Sequence, residues 1–435
     1  MNGPRSKRTC RLRVLMSAYA CEPERGSEPG VGWNWVQQIG RFEEVWVITR
    51  ANNRQAIEDA PATQLLPNVH FIYFDLPRWS CFWKRGVRGI HAYYYLWQLG
   101  AYFVARKLHR KVGFDLVHHV TFVIFWMPSF LALLPVPFLW GPVGGGESAP
   151  RAFWKSFSLR GKVYESVRDI ARKMAMLDPF VRLTARRAVV GFATTAETES
   201  RLRAVGCRQT CVLSQTALNE DEISRLHQLP PHTSDSFRVL SVGDLLHLKG
   251  YELSLKAFAL FHDQFPRSEY WLIGDGPERK RLEKLVRELG IVDCVTFWGR
   301  MRRADVLEKL VHCDLFLHPT LHDSGGWASV EAMAAGRPVI CLELGGPALQ
   351  VNDECGIKVP AISSKQVVQD IAEGLSRLAS DPALRARLAE AGRQRVEEHF
   401  NWNRKGSEMA GIYAAVMETS VTRRNVLLPQ AQIVD

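Results

Sequence analysis

No Cys-x-x-Cys pair occurs among the nine cysteines of this 435-residue chain, which lie scattered at positions 10, 21, 81, 207, 211, 294, 313, 341 and 355. The nearest two, Cys207 and Cys211, have no further Cys or His at metal spacing. That excludes a zinc framework, and an odd, dispersed set reads as reduced, mostly buried thiols of a cytoplasmic protein. No metal site is expected. Long apolar runs are lacking too. The nearest approach, Phe122 to Trp140, is divided by Pro128, Pro135 and Pro137 and reads as a buried helix followed by a buried strand. The N-terminal MNGPRSKRTCRLRVLMSAYA imitates a secretory signal, but its apolar part after Arg13 is short and interrupted and reads as a first β-strand. The 32 Gly and 22 Pro are not periodic, which excludes collagen-like and low-complexity classes. What remains is a globular chain, 46% hydrophobic and 23% charged, with length for two to three domains.

Acids are missing from one long stretch. Arg78 to Val112 has no Asp or Glu, yet carries Lys84, Arg85, Arg88, Arg106, Lys107, Arg110 and Lys111 among aromatics running from Trp79 to Phe103. Arg151 to Arg187 is again rich in Lys and Arg, and the whole chain has a formal charge of +11. Rings and cations together suit the headgroup region of an anionic bilayer. The same pattern suits a solvated helix face with its rings turned to the core. Nucleic acid would also satisfy the charge, but no helix-turn-helix, zinc-finger or RNP pattern accompanies it. Peripheral contact with the inner face of the cell membrane, and no nucleic-acid partner, is the expectation.

Short apolar runs alternate with helix-length segments in two series, as parallel strands covered on both faces do. The first series is Leu12–Tyr19, Val45–Thr49, Val69–Leu76, Asp115–Thr121, Phe138–Trp140, Val189–Thr195 and Cys211–Gln215. The second is Arg238–Val242, Tyr270–Ile273, Val295–Trp298, Leu315–His318, Val339–Leu342 and Ile357–Val359. Between the series, 219–236 (NEDEISRLHQLPPHTSDS) is polar, contains Pro230 and Pro231, and reads as a linker. The predicted fold is α/β: two doubly wound Rossmann-like domains, 1–218 and 237–400, facing a cleft lined by strand carboxyl ends. A helix over 401–420 and a frayed tail over 421–435 complete the chain.

The richest chemistry lies in HPTLHDSGGWASVEAMAAGRP, His318 to Pro338. A strand ends near His318, and a helix starts around Ala328 after a loop of Asp323, Ser324, Gly325, Gly326 and Trp327. Glycines before a helix allow backbone approach, and unpaired N–H groups at its start favour an anion such as diphosphate. Glu331, an acceptor-only group, suits vicinal hydroxyls such as those of ribose. Dipole-favoured acids at a helix N-terminus would look the same. SVGDLLHLKG, Ser241 to Gly250, places Gly243 at a strand end and Lys249 at a helix entry, where a cation would meet phosphates. IGDGPE and FWGR each end a strand at glycine, and Gly299 and Arg300 would border a flat base.

The order, spacing and composition of these segments resemble glycosyltransferase family 4, retaining sugar-nucleotide transferases of the GT-B fold. The family's carboxylate-x7-Glu pair appears as Asp323 and Glu331, with Gly-Gly between and EAMAAGRPV following. Lys249 falls where the family's phosphate-gripping lysine belongs. One departure stands out: where the family has Arg after the glycine, this chain has Asp244, so that His247 is the base expected to assist Lys249. GSEPGVGWNW implies that Gly30 and Gly32 lie near donor phosphate and acceptor. DLVHHVT implies His118 as the active-site histidine that orients sugar or acceptor, with His119 its neighbour on the opposite strand face. The GPVGGGE loop, Gly141 to Glu147, is expected on the acceptor side.

Gly144 to Ala149 also fits G-x-G-x-x-A, but after a late strand, which argues against a dehydrogenase. A sugar-nucleotide epimerase would share the architecture, and a scaffold protein that kept the cleft would explain Asp244. The resemblance implies a last helix, 401–420, that crosses back to the first domain, and a retaining hexosyltransferase using a nucleoside diphosphate sugar, with no cofactor. Its acceptor is expected to be a carbohydrate or a lipid-linked carbohydrate, in polysaccharide or glycolipid assembly.

Overall fold

The computed structural model describes residues 11–422, apart from 24, 62–65, 78, 80, 81, 84–88 and 231. Expectations resting on Cys10, Arg78, Cys81, Lys84, Arg85, Arg88, Pro231 and the tail beyond 422 therefore lie outside the described residues.

All thirteen expected strands form. The first seven are β1 Arg13–Ala18, β2 Glu44–Thr49, β3 Val69–Tyr73, β4 Leu116–Thr121, β5 Phe138–Val143, β6 Ala188–Ala193 and β7 Thr210–Val212. They build one sheet in the order β3-β2-β1-β4-β5-β6-β7. The other six are β8 Phe237–Val242, β9 Ser268–Ile273, β10 Val295–Gly299, β11 Leu315–His318, β12 Val339–Leu342 and β13 Gly356–Val359, in the order β10-β9-β8-β11-β12-β13. Each pairing is parallel, for example Met16 beside His118 and Phe316 beside Val339. Helices cover both faces, which is why β4, β5, β11 and β12 are buried along their whole length. In each sheet the strand order reverses once, between β1 and β4 and between β8 and β11. Loops leaving those strands part in opposite directions there and open a crevice at the carboxyl ends.

The described chain divides into two compact units, one of residues 11–146, 172–215 and 405–422, the other of 147–171 and 216–404. Three expectations need correction. Residues 219–236 are not a plain linker: Glu220–His227 is a helix of the second unit, started by Glu222 Oε2 accepting from the Asn219 N–H at 2.9 Å. Residues 147–171, placed by sequence in the first domain, belong to the second, where Phe153 and Phe157 join its core. The helix read between Phe122 and Pro137 shrinks to one 3₁₀ turn, Phe130–Leu133, because the prolines leave too few amides for a longer helix.

From Lys405 onward the helix Trp402–Thr422 groups with the first unit, where Tyr413 is buried. The described cysteines carry free thiols, and 21, 207, 313, 341 and 355 are buried. Among the described residues no helix is long and apolar enough to cross a membrane.

Candidate functional site

The second unit gathers its chemistry at the β8/β11 crevice. Gly250 holds φ at +66°, and a Cβ there would sit 1.9 Å from the Pro319 carbonyl oxygen, so only glycine lets the loop after β8 lie on the loop after β11. That contact brings Lys249 to Asp323: the ammonium donates to Oδ2 at 2.5 Å. The other carboxylate oxygen of Asp323 accepts from the amides of Gly325 at 3.0 Å and Gly326 at 3.1 Å. His318 Nε2 stands 3.6 Å from Oδ2, and Ser329 Oγ lies 3.2 Å from His318 Nδ1. Burial opposes the charge on Asp323, but His318 and Lys249 overcome it and hold the carboxyl well below its ordinary range. Burial, with help from Lys249, lowers the His318 pKa.

The sequence reading expected the Gly325 and Gly326 amides to be open to an anion. Instead Asp323 occupies them as an internal anion. The carbonyl of Gly325 is also engaged, by Thr216 Oγ1 at 2.7 Å and by Gln350 Nε2. Gly346 N–H donates to the Asp323 carbonyl at 2.8 Å. Gly326, at φ +65°, then starts the helix Trp327–Ala334, within which Glu331 is buried.

Glu331 is not alone. Arg303 Nε donates to its Oε1 at 2.7 Å, and the same guanidinium reaches Glu222 Oε1 at 2.5 Å. Burial raises the Glu331 pKa against the pull of Arg303. Arg303 and Glu222 escaped the sequence reading, since no local pattern joins positions 81 apart. Asp244, the residue that departs from the family pattern, pairs with Arg300 at 2.9 Å, so a guanidinium stands at that loop after all. His247 does not join Lys249 as expected. Its ring packs edge-on against Phe157 at 5.0 Å, and Nε2 lies 3.5 Å from the buried Glu165. Gly243 and Gly299 border the same strand ends: Gly243 O accepts from Tyr251 Oη at 3.1 Å and Gly299 O from the Gly274 amide at 2.8 Å.

The first unit needs larger corrections. Gly30 and Gly32 lie inside the helix Ser27–Gly40, not in a loop. A Cβ on Gly30 would meet Arg25 O at 2.0 Å, and one on Gly32 would meet Ala20 O at 2.0 Å. These glycines admit neighbouring backbone rather than a ligand. His118 is fully buried with both nitrogens engaged, Nδ1 with Tyr413 Oη at 2.7 Å and Nε2 with Gly141 O at 2.7 Å. Burial holds its pKa down at about 4. A neutral imidazole donating to a carbonyl and accepting from a phenol braces β4 between β5 and the last helix; it does not orient an acceptor. His119 is buried on the other face, with Nε2 3.0 Å from Tyr94 Oη. The GPVGGGE loop is equally committed: the Gly146 amide donates to Thr198 Oγ1 at 3.0 Å. After Gly146 and Glu147 the chain enters a 3₁₀ turn, Arg151–Ser156, so no dinucleotide-type helix start follows.

The first-unit group that sequence missed is Glu28. Its carboxylate accepts from the amide of Phe122, and Phe122 and Ser27 both hold positive φ, +56° and +64°. Burial pushes the Glu28 pKa up to about 7, despite that amide. A carboxyl whose pKa is raised on folding favours the folded state while protonated, and the benefit is lost as pH rises through the folded value. Stability is therefore expected to fall between about pH 4.5 and 7, with a slope from this group of at most ~1.4 kcal/mol per pH unit. Glu28→Gln should flatten that part of the curve in denaturant titrations at several pH values, and an unchanged slope would remove Glu28 as its source.

Residues 223–395 match the family model described as Glycosyl transferases group 1. The lipopolysaccharide core biosynthesis glycosyltransferase LpsD of Rhizobium meliloti is 31% identical over 175 residues, 39% of this chain and 46% of that protein. The chain spans less than half the length of the first curated relatives it matches, from 40% to 47%. Sucrose-phosphate synthase from Thermosynechococcus elongatus superposes with a TM-score of 0.64 at 20% identity, covering 94% of this chain and all of that one. Anabaena HepE in complex with UDP and glucose gives 0.57 at 18%, covering 93% and 99%. These likenesses carry the fold: two Rossmann-like domains of the GT-B kind.

Proposed function

Because residues 223–395 match the family model of glycosyl transferases group 1, we propose that the chain is a retaining glycosyltransferase of the family 4 type. It takes a hexose-type sugar from a nucleoside diphosphate and passes it to a carbohydrate or lipid-linked acceptor, in polysaccharide, lipopolysaccharide or glycolipid assembly. The reading places the reaction in the cytoplasm, at the inner membrane face when the acceptor is lipid-linked. The observation that carries it is the meeting of Lys249 with Asp323 at the start of the Trp327–Ala334 helix, Glu331 lying one turn further on.

Negative charge grows on the leaving diphosphate as the glycosidic bond breaks, and a fixed cation aimed there lowers the barrier. Lys249 is that cation. Before the donor arrives its partner is Asp323; a bound diphosphate replaces the carboxylate, and Asp323 turns its freed oxygen to sugar hydroxyls. Exchange of one anion for another avoids leaving the ammonium unpaired at any stage. Arg300 brings a guanidinium beside Asp244, where the family pattern has an arginine, and this supports a catalytic reading over a weakened scaffold. Glu331, steadied by Arg303, holds the ribose. In this reading the acceptor hydroxyl attacks from the face the diphosphate leaves, so the anomeric configuration is kept.

A thermal-shift panel of UDP-, GDP-, ADP- and dTDP-sugars tests the donor, because a ligand held only by the folded chain adds about 2.7 kcal/mol at a hundred times its Kd. One nucleotide series should raise the midpoint by several degrees, and NMR of the product should show the donor's anomeric configuration. No shift from any nucleotide, or an inverted product, would defeat the proposal; conversion of the donor to its epimer without an acceptor would favour the epimerase.

A further inference from the structure

The helix Leu159–Ala175 has an apolar face that nothing among the described residues covers. Leu159 is 80% exposed, Val163 55%, Val167 60%, Ile170 59% and Met174 67%. At 100° per residue these five fall within about 80° of one another on the helix. Isolated exposed apolar residues need no explanation, but a continuous stripe of this kind marks an interaction surface. Lys162 and Lys173 lie about 40–60° beyond one edge of the stripe. The surrounding segment 151–187 holds ten Lys and Arg against three Asp and Glu.

The opposite face is the one that packs. Gly161 and Glu165 are buried. A Cβ on Gly161 would lie 3.1 Å from the His247 ring, Glu165 Oε1 is 3.5 Å from His247 Nε2, and Arg168 reaches Glu165 Oε2 at 2.8 Å. The helix is therefore held by its polar side to the loop that carries Lys249, and its apolar side points outward by construction.

We infer that this stripe, Leu159 to Met174, docks the protein on an anionic lipid bilayer, the apolar side chains entering the acyl boundary and Lys162 and Lys173 meeting headgroup phosphates. This deepens the membrane part of the proposed function by naming the element and the lipid class. Apolar insertion combined with basic flanks is what distinguishes binding to anionic interfaces from binding to neutral ones. A second copy of the chain fits less well, since an antiparallel twofold contact across the stripe sets Lys162 and Lys173 against the same residues of the partner.

The purified 435-residue chain should co-sediment with phosphatidylcholine vesicles containing phosphatidylglycerol, and weakly or not at all with phosphatidylcholine alone. The triple variant Val163→Asp, Val167→Asp, Ile170→Asp should lose binding by about tenfold or more. The double variant Lys162→Glu, Lys173→Glu, which leaves the apolar stripe intact, should lower binding to the anionic vesicles and reduce its salt dependence. Both changes are at the surface, and an unchanged thermal midpoint would show that each variant folds. Equal sedimentation of wild type and triple variant would overturn the inference, as would indifference to phosphatidylglycerol. So would a concentration-dependent dimer in light scattering that the triple variant abolishes. Vesicle binding is read without donor or turnover, so its outcome is separate from that of sugar transfer.

Discussion

Lys249→Ala is expected to lower kcat/KM for sugar transfer by about 10²–10³-fold, the usual loss when one donor aimed at developing negative charge is removed. Stability should change far less. The Lys249 and Asp323 side chains are each about one-fifth exposed, so their pairing is partly screened. Asp323 also keeps three other partners, the amides of Gly325 and Gly326 and the nearby His318. A carboxylate already satisfied by two N–H groups tolerates the loss of a cation, and a midpoint change worth about 1 kcal/mol or less is expected. Calorimetry with the nucleoside diphosphate should show weakened binding that parallels the fall in rate. Lys249→Arg should recover part of the affinity and little of the rate, because a planar fork does not reproduce a compact ammonium. Native nucleotide affinity in Lys249→Ala would take away the phosphate role, whatever happened to turnover.

The fold was legible because buried parallel strands announce themselves as short apolar runs, and every run singled out became a strand. The helix at 220–227 was hidden by its own polarity: six of its eight residues are polar or charged, and Pro230 follows closely, so the signal lay in the Asn219-x-x-Glu222 capping pair rather than in periodicity. The histidines show a different limit. Alternation along β4 separates His118 from His119 correctly, yet it cannot tell a crevice-facing side from one covered by helix, and here both sides are covered. Gly30 and Gly32 misled for a related reason. Glycine is needed wherever backbones touch, and the sequence does not say whether the other backbone belongs to a ligand or to residues 20–25 of the same chain. The second-unit site reads better because its residues come from two contiguous stretches, 243–250 and 318–331. Its long-range members, Arg303 and Glu222, had no such signature.

Those two residues shape the outcome of the other large substitution. Glu331→Ala removes the acceptor assigned to the ribose hydroxyls, where charge-assisted hydrogen bonds are worth about 1.5–3 kcal/mol each. Two of them correspond to a loss of about 10²-fold or more in donor affinity, carried into kcat/KM. The same change takes one carboxylate from Arg303 and leaves it with Glu222 alone, so about 1–3 kcal/mol of stability should go as well. Glu331→Gln keeps an oxygen for the ribose and relieves the cost of burying a charge, which already raises the pKa of this group. It should regain part of the affinity. The two roles separate in one comparison: if Glu331 only anchored Arg303, the Ala variant would melt earlier while its folded fraction bound nucleotide with native affinity. That result would leave the ribose without its assigned partner and transfer the donor site elsewhere in the β8/β11 crevice.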